Sequence, residues 1–462
     1  MPKHPNPPAR AVASPDAPAP PVAPPCAAWF APVFGGFLAL TLLKWVNPPV
    51  METLIVWPAN LAEWVFTAWP SAVGYALLGV VALAAGFAAR RALAVAWRRW
   101  PWWTALPAAW LLWQGVAALG SVDAELSRRT LGHFAACVTC FYLGLVVSRA
   151  PNPGGFFWPV GLAFVPVLAI GLEQHFGGLD RAREYFFTYV YGQMPAVPEE
   201  YLKRITSKRI FANQFYPNAL AGVVLMVLPV SVALIWQMER WFTRAARAFL
   251  VGVVALSALA CLFWSGSKGG WLLMLVVGAL AGWRLPLPPW VKRAALLAGV
   301  LAGLAVFGVR FAGFFERGAT SVGARFDYWE AALRTSLQRP ILGSGPGTFG
   351  VAYKAIKRPE SEMSRLAHND YLQQASDSGW PGLALYATFL VVALWRTRPR
   401  TNGAAATGGR LRFAVWLGVL AWALQSLIEF GLYLPSLAWC AFAWLGWLAG
   451  TGKRLDNRSG SA

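Results

Sequence analysis

The sequence predicts an all-α, polytopic membrane bundle, and three observations carry that prediction. Of 462 residues 57% are hydrophobic and only 13% charged, and the mean hydropathy of +0.48 lies far above that of a water-soluble domain. Apolar runs of about 20 residues, the length that crosses a hydrocarbon core, recur along the chain. Basic residues fall in alternate connections between those runs. With 26 Trp, 28 Phe and 12 Tyr against 20 acidic residues, there is too little polar surface for a water-soluble enzyme of this size. The five cysteines are too few for a disulfide framework, and Cys137-x-x-Cys140 lies in an apolar run without further ligands, so the thiols read as packing residues.

Residues 1–28 hold ten prolines and almost no large apolar side chains, a composition expected to stay a disordered tail. The first apolar run, near Trp29, lacks an adjacent basic segment and is followed by many others, so it reads as a retained helix rather than a secretion signal. Runs at about 29–46, 72–89, 102–121, 131–148, 156–175, 216–238, 247–264, 269–283, 294–311, 380–395, 412–428 and 432–449 predict about 12 transmembrane helices. With a cytoplasmic N-terminus, the inner segments carry 21 Lys and Arg against Asp16, Glu239 and Asp456, whereas the rest of the chain carries 19 basic and 17 acidic residues. Orientation therefore accounts for nearly all of the net charge of +20, both termini are expected to be cytoplasmic, and no nucleic-acid partner is needed. Residues 450–462 form a second basic cytoplasmic tail.

Two outer loops, 176–215 and 312–379, the second between helices 9 and 10, are long enough to carry function. The second contains Gly343-Ser-Gly-Pro-Gly-Thr-Phe-Gly350 and His368. The glycine cluster reads either as a tight turn or as backbone N–H groups facing an anion. His368 is the best candidate general base, because imidazole takes a proton near neutral pH; a solvated loop histidine is the plain alternative. His133 and His175 are read as packing or capping residues near helix ends. Arg209, Lys268 and Arg325 stand at outer helix ends, where they either converge on a phosphate or pyrophosphate or snorkel at the interface. Asp123-Ala-Glu125 reads as a weak divalent-cation pair or as a solvated loop with Arg128 and Arg129 as counter-charges. A helix over Tyr328–Leu337 is expected to be amphipathic and to lie along the interface.

Arg209-Ile-Phe-Ala-Asn-Gln-Phe-Tyr-Pro-Asn218, Arg325 with Trp329, Pro340, Gly343, Gly345, Gly347 and Phe349, and His368-Asn-Asp-Tyr-Leu-Gln373 with Gly379 and Gly382 follow one another over about 175 residues. In this order they resemble the O-antigen ligase and polymerase family of bacterial inner-membrane glycosyltransferases. Lys268 stands where that family is expected to have arginine, and Asp377 where glutamate is common. The resemblance makes 29–449 the transmembrane ligase-like domain and implies a lipopolysaccharide- or polysaccharide-building transferase without metal or cofactor. It would move a glycan from undecaprenyl pyrophosphate to an acceptor hydroxyl on a glycolipid, glycan or protein, at the periplasmic face and with inversion. The roles implied are His368 as base, Arg209, Arg325 and Lys268 as pyrophosphate ligands, and Asn369, Asp370 and Tyr371 as orienting or acceptor-side residues. The main rival from another class is a lipid-linked glycan transporter, which would need the arginines but not His368.

Overall fold

The computed structural model describes residues 27–96, 101–193, 202, 206–285, 287–316, 320–399 and 407–456. The tails expected at 1–28 and 450–462 therefore lie, over 1–26 and 457–462, outside the described residues. Helices in chain order are α1 (Phe30–Lys44), α2 (Leu61–Phe66), α3 (Ser71–Ala96), α4 (Leu106–Ala118), α5 (Ala124–Val147), α6 (Gly154–Glu173), α7 (Leu179–Tyr185) and α8 (Pro217–Trp236). They continue with α9 (Arg244–Ser265), α10 (Lys268–Trp283), α11 (Pro289–Glu316), α12 (Thr320–Gln338), α13 (Phe349–Ile356), α14 (Asp370–Thr397), α15 (Thr407–Gln425) and α16 (Pro435–Asp456). No strand occurs among the described residues.

A helix stands on each of the twelve apolar runs. Among the described residues seven are long and apolar enough to cross a membrane, and α1 and α10 are apolar but shorter. This is a multi-pass membrane protein. Helix starts follow side-chain chemistry: Asp123, Thr243, Ser267 and Asn369 each accept a backbone N–H of the first turn of α5, α9, α10 and α14.

The stretch 312–379, expected as a large helical and irregular loop, holds α12, α13 and the first third of α14 joined by non-helical connections. The expected helix over 380–395 in fact begins at Asp370 and breaks at Ser378 and Gly379, the latter with φ +70°. Hydropathy misses that first part because it is polar: Gln373, Gln374, Ser376, Asp377 and Ser378 are all buried, facing protein and not lipid. Residues 174–193 likewise continue α6 as further helical turns, including α7.

The bundle centre is α16 against α5, with α1 on α6 and α8 against α9 and α15 around it. Lipid gives apolar side chains no reason to leave it, so close backbone packing has to hold such helices together. A Cβ on Gly144 would lie 2.0 Å from Ala443 O, and one on Gly446 1.9 Å from Phe141 O, so α5 and α16 meet at reciprocal glycines. Gly36, by contrast, has nothing within 4 Å of such a Cβ. Gly144→Ala and Gly446→Ala should each destabilise the protein by about 1–3 kcal/mol through overpacking, read as a lowered unfolding midpoint in detergent, while Gly36→Ala should leave it unchanged.

Candidate active site

His368 lies in the connection from α13 to α14, and its backbone has φ +51°. A residue with a Cβ pays about 1–3 kcal/mol for a left-handed conformation and keeps it only where its surroundings impose it. Here Asn369 caps α14 directly afterwards, its side chain accepting Leu372 N–H at 3.0 Å, and Trp329 Nε1 donates to His368 O at 3.4 Å. The ring stacks on Tyr328 (5.8 Å, 25°) and meets the edge of Phe430 (4.8 Å, 73°).

The partner of this imidazole is Glu429, between α15 and α16. His368 Nδ1 is 3.1 Å from Glu429 Oε2. The same carboxylate accepts from Arg325 Nη2, from Tyr216 OH at 2.8 Å and from Asn218 Nδ2 at 2.6 Å. Burial alone raises the Glu429 carboxyl, but Arg325 and the donors from His368 and Tyr216 outweigh it and hold it down at about 2. An ionised carboxylate only accepts, so Nδ1 carries the imidazole proton. Nε2 has no hydrogen-bond partner among the described residues, with the side chain 23% exposed.

Arg325 pairs with this carboxylate directly, whereas Arg209 reaches it through Asn218. Arg209 Nη2 donates to Asn218 Oδ1 at 2.8 Å and Nε to Ser265 O at 2.6 Å. Burial, with Arg325 adding to it and Glu429 opposing, lowers the Arg209 guanidinium from its ordinary value. Gly266, at φ +61°, ends α9 in the left-handed conformation and makes room for this side chain: a Cβ there would sit 3.2 Å from Arg209 Nε. Arg325 Nε is buried with no partner among the described residues. Lys268, at the start of α10, has its ammonium 5.3 Å from the Phe311 ring and within electrostatic reach of Arg209, Arg310 and Arg325.

Asn369, Asp370 and Tyr371 face inward. Asp370 is fully buried, accepts Leu432 N–H at 2.7 Å and donates its own N–H to Ser426 O; Tyr371 OH donates to Ala423 O at 3.0 Å. The glycine cluster is a tight turn whose N–H groups bond to Asp377 of this same chain. Gly345 N–H donates to Asp377 O at 2.8 Å and Gly347 N–H to Asp377 Oδ2 at 2.9 Å, with Gly343, Gly345 and Gly347 all at positive φ.

His133 stands inside α5 and not near its end. It is buried, donates from Nε2 to Leu432 O at 2.7 Å, and accepts Trp439 Nε1–H at 3.1 Å. His175 stacks on Trp264 at 3.7 Å. Asp123 caps α5, and Glu125 pairs with Arg128 and Arg129, which is the counter-charge arrangement.

The residue that sequence reasoning missed is Glu429. Its signal was a lone carboxylate in the three-residue gap between two apolar runs on the expected outer side, where the alternation of basic segments supplies no counter-charge.

Residues 252–387 match the model of the O-antigen ligase family. The match bears out the resemblance. It covers Lys268, Arg325 and His368 and leaves Arg209 and Glu429 outside, and it supports, in general terms, a membrane glycosyltransferase acting on lipid-linked glycans. No curated protein matches the chain.

A carboxyl held below its ordinary value of 4.5 contributes stability that is fully present above that value and lost as pH falls towards the folded one. The stability difference between wild type and Glu429→Gln should therefore be largest near pH 6 and shrink below pH 4, as followed by unfolding midpoints in detergent.

Proposed function

We propose that this protein is a metal-independent, inverting glycosyltransferase that moves a glycan from undecaprenyl pyrophosphate to an acceptor hydroxyl at the periplasmic face of the bacterial inner membrane. The reading extends to a twelve-span domain over 29–449 with both termini cytoplasmic. The observation that carries it is His368: an imidazole with Nδ1 fixed on a buried carboxylate, Nε2 without a partner, and two arginines around the same carboxylate.

In this reaction Nε2 takes the proton from the acceptor hydroxyl as its oxygen forms a bond to the anomeric carbon of the donor sugar. The bond from that carbon to the pyrophosphate oxygen breaks, its electron pair leaves with undecaprenyl pyrophosphate, and displacement from the opposite face inverts the anomeric configuration. Glu429 holds the reactive tautomer and stabilises the imidazolium that forms, which is the logic of a base oriented by a carboxylate. Arg325 supplies the buried Nε–H that has no partner among the described residues, and Arg209 and Lys268 add positive charge for the leaving pyrophosphate. Asn369, Asp370 and Tyr371 act as positioning residues, because their side chains hold the start of α14 and the turn after Glu429. The exposed apolar side chains of α12, Val322, Phe326, Leu333 and Leu337, suit a helix lying at the membrane interface above a lipid substrate.

The acceptor class, whether lipid A core, growing polysaccharide or protein, lies beyond the donor chemistry. Purified protein given undecaprenyl-pyrophosphate oligosaccharide and each acceptor class should form a glycosylated product whose mass names the acceptor. His368→Ala should lower its rate by roughly 10²–10⁴-fold, and Arg325→Gln by a factor on the order of 10–10² as one charge-assisted hydrogen bond is lost. Unchanged turnover in His368→Ala would remove the base and favour a transporter of lipid-linked glycans.

A further inference from the structure

The short helix α2, in the connection from α1 to α3, is amphipathic in the wrong sense for water. Leu61, Ala62, Val65 and Phe66 point outward, with Leu61 79% and Phe66 85% exposed, while Glu63 and Trp64 are turned in. Residues at i, i+1, i+4 and i+5 share one side of a helix, and here that side is wholly apolar. A helix at a water surface directs its charged residues outward instead. Val56 and Trp57, just before α2, are exposed as well.

Both acids of the connection are engaged within it or at its end. Glu63 accepts Ala59 N–H at 2.7 Å and Asn60 Nδ2–H at 2.8 Å. Glu52 holds the start of α3, accepting Ser71 N–H at 2.7 Å and Ser71 Oγ–H at 2.6 Å. Between Trp45 and Pro70 the sequence contains no Lys or Arg, so the outward side of α2 carries no charge.

This side is also tied to the membrane boundary. Lys44, the last residue of α1, donates from Nζ to the carbonyls of Trp64 at 3.0 Å, of Val65, and of Thr67 at 3.2 Å. These belong to the end of α2, where helical partners run out. Trp69 N–H donates to Lys44 O at 3.0 Å and Trp69 Nε1 to Trp64 O at 2.7 Å. Ser71, where the apolar span of α3 begins, follows Phe66 by five residues. One lysine side chain and one short strap therefore hold α2 where the hydrocarbon starts.

We propose that α2, with Val56 and Trp57, is an interfacial anchor whose apolar side lies in the lipid leaflet at the end of the bundle that carries the candidate site. Continuity with the two flanking helices commits the occupant to lipid, and the lack of charge leaves nothing to orient a protein partner. Trp64 and Trp69, edge to face at 5.1 Å, stand at the level where aromatic rings gather in membrane proteins. The anchor is coupled to the site. Asn213, four residues after Arg209, donates to Leu42 O and Leu43 O at 3.1 Å, and Ser436 N–H, just beyond the turn from Glu429, donates to Trp45 O at 2.9 Å. The depth of α2 in the leaflet thereby sets the height of the imidazole over the lipid.

Nitroxide labels placed separately by Leu61→Cys and Phe66→Cys test this on the full-length protein in liposomes of phosphatidylethanolamine and phosphatidylglycerol. Cys26→Ser supplies the background, the cysteines at 137, 140, 261 and 440 being buried. Oxygen concentrates in lipid and a nickel chelate stays in water. Both labels should collide several-fold more often with oxygen than with the chelate, at a depth of about 5–10 Å into the headgroup region. A label at exposed Glu360 (Glu360→Cys) should show the reverse.

Collision of the 61 and 66 labels chiefly with the chelate would put this side in water and overturn the proposal. Protection from both reagents would mean that a second copy of the chain covers it, and would overturn the proposal equally. Either label reports by itself, so the test stands if one variant misfolds. Neither result bears on His368, and the transferase reading stands or falls separately.

Discussion

A carboxylate removed from water needs its lone pairs met by donors, and Glu429 meets this demand with four of them from three distant parts of the chain: Tyr216 and Asn218 at the start of α8, Arg325 in α12 and His368 before α14. The charge is the fixed point around which these segments are arranged. Taking away one partner of such a pair is costly, on the order of 3–5 kcal/mol, because the remaining charge stays buried. Arg325 and the imidazole are therefore held near one another by the requirement to satisfy this carboxylate, before any substrate arrives.

The turn that carries Glu429 is itself secured from below. Leu432 has both backbone groups bound by side chains, its N–H by Asp370 and its carbonyl by His133, and Tyr433 donates to Asp377 at 3.0 Å. Asp377 in turn accepts Gly347 N–H, so the glycine turn, α14 and the 429–433 turn form one connected polar layer. A buried, connected layer of this kind is stiff. It explains how His368 is kept in a left-handed backbone conformation that its Cβ disfavours.

Most of the helical frame was legible because its physics is local: an apolar run of about 20 residues is a helix in lipid wherever it sits. The candidate site was legible in part. His368, Arg209 and Arg325 stood out as charged or titratable groups among apolar runs on one expected face, and the structure brings His368 and Arg325 to Glu429 and Arg209 to its partner Asn218. Glu429 escaped because a single acid beside an apolar run has no periodicity and its meaning lies in partners 61, 104 and 213 residues away. The start of α14 escaped for the opposite reason, since Gln373, Gln374 and Asp377 look like loop residues until the protein interior that buries them is known. Asp370 and the glycine turn invited a view towards substrate, whereas their bonds lead inward.

The aromatic walls around His368 bear on a competitor that is always present. Water is an acceptor hydroxyl as well, and at molar concentration it would turn a glycan donor over to free sugar wherever it reached an activated base. Tyr328 stacks on the imidazole, Phe430 presses its edge on it, and Nδ1 is occupied by Glu429. Approach is left along the Nε2 edge alone. In the proposed reaction, whatever hydroxyl fills that opening displaces solvent from it, so acceptor binding and protection of the donor from hydrolysis become a single event.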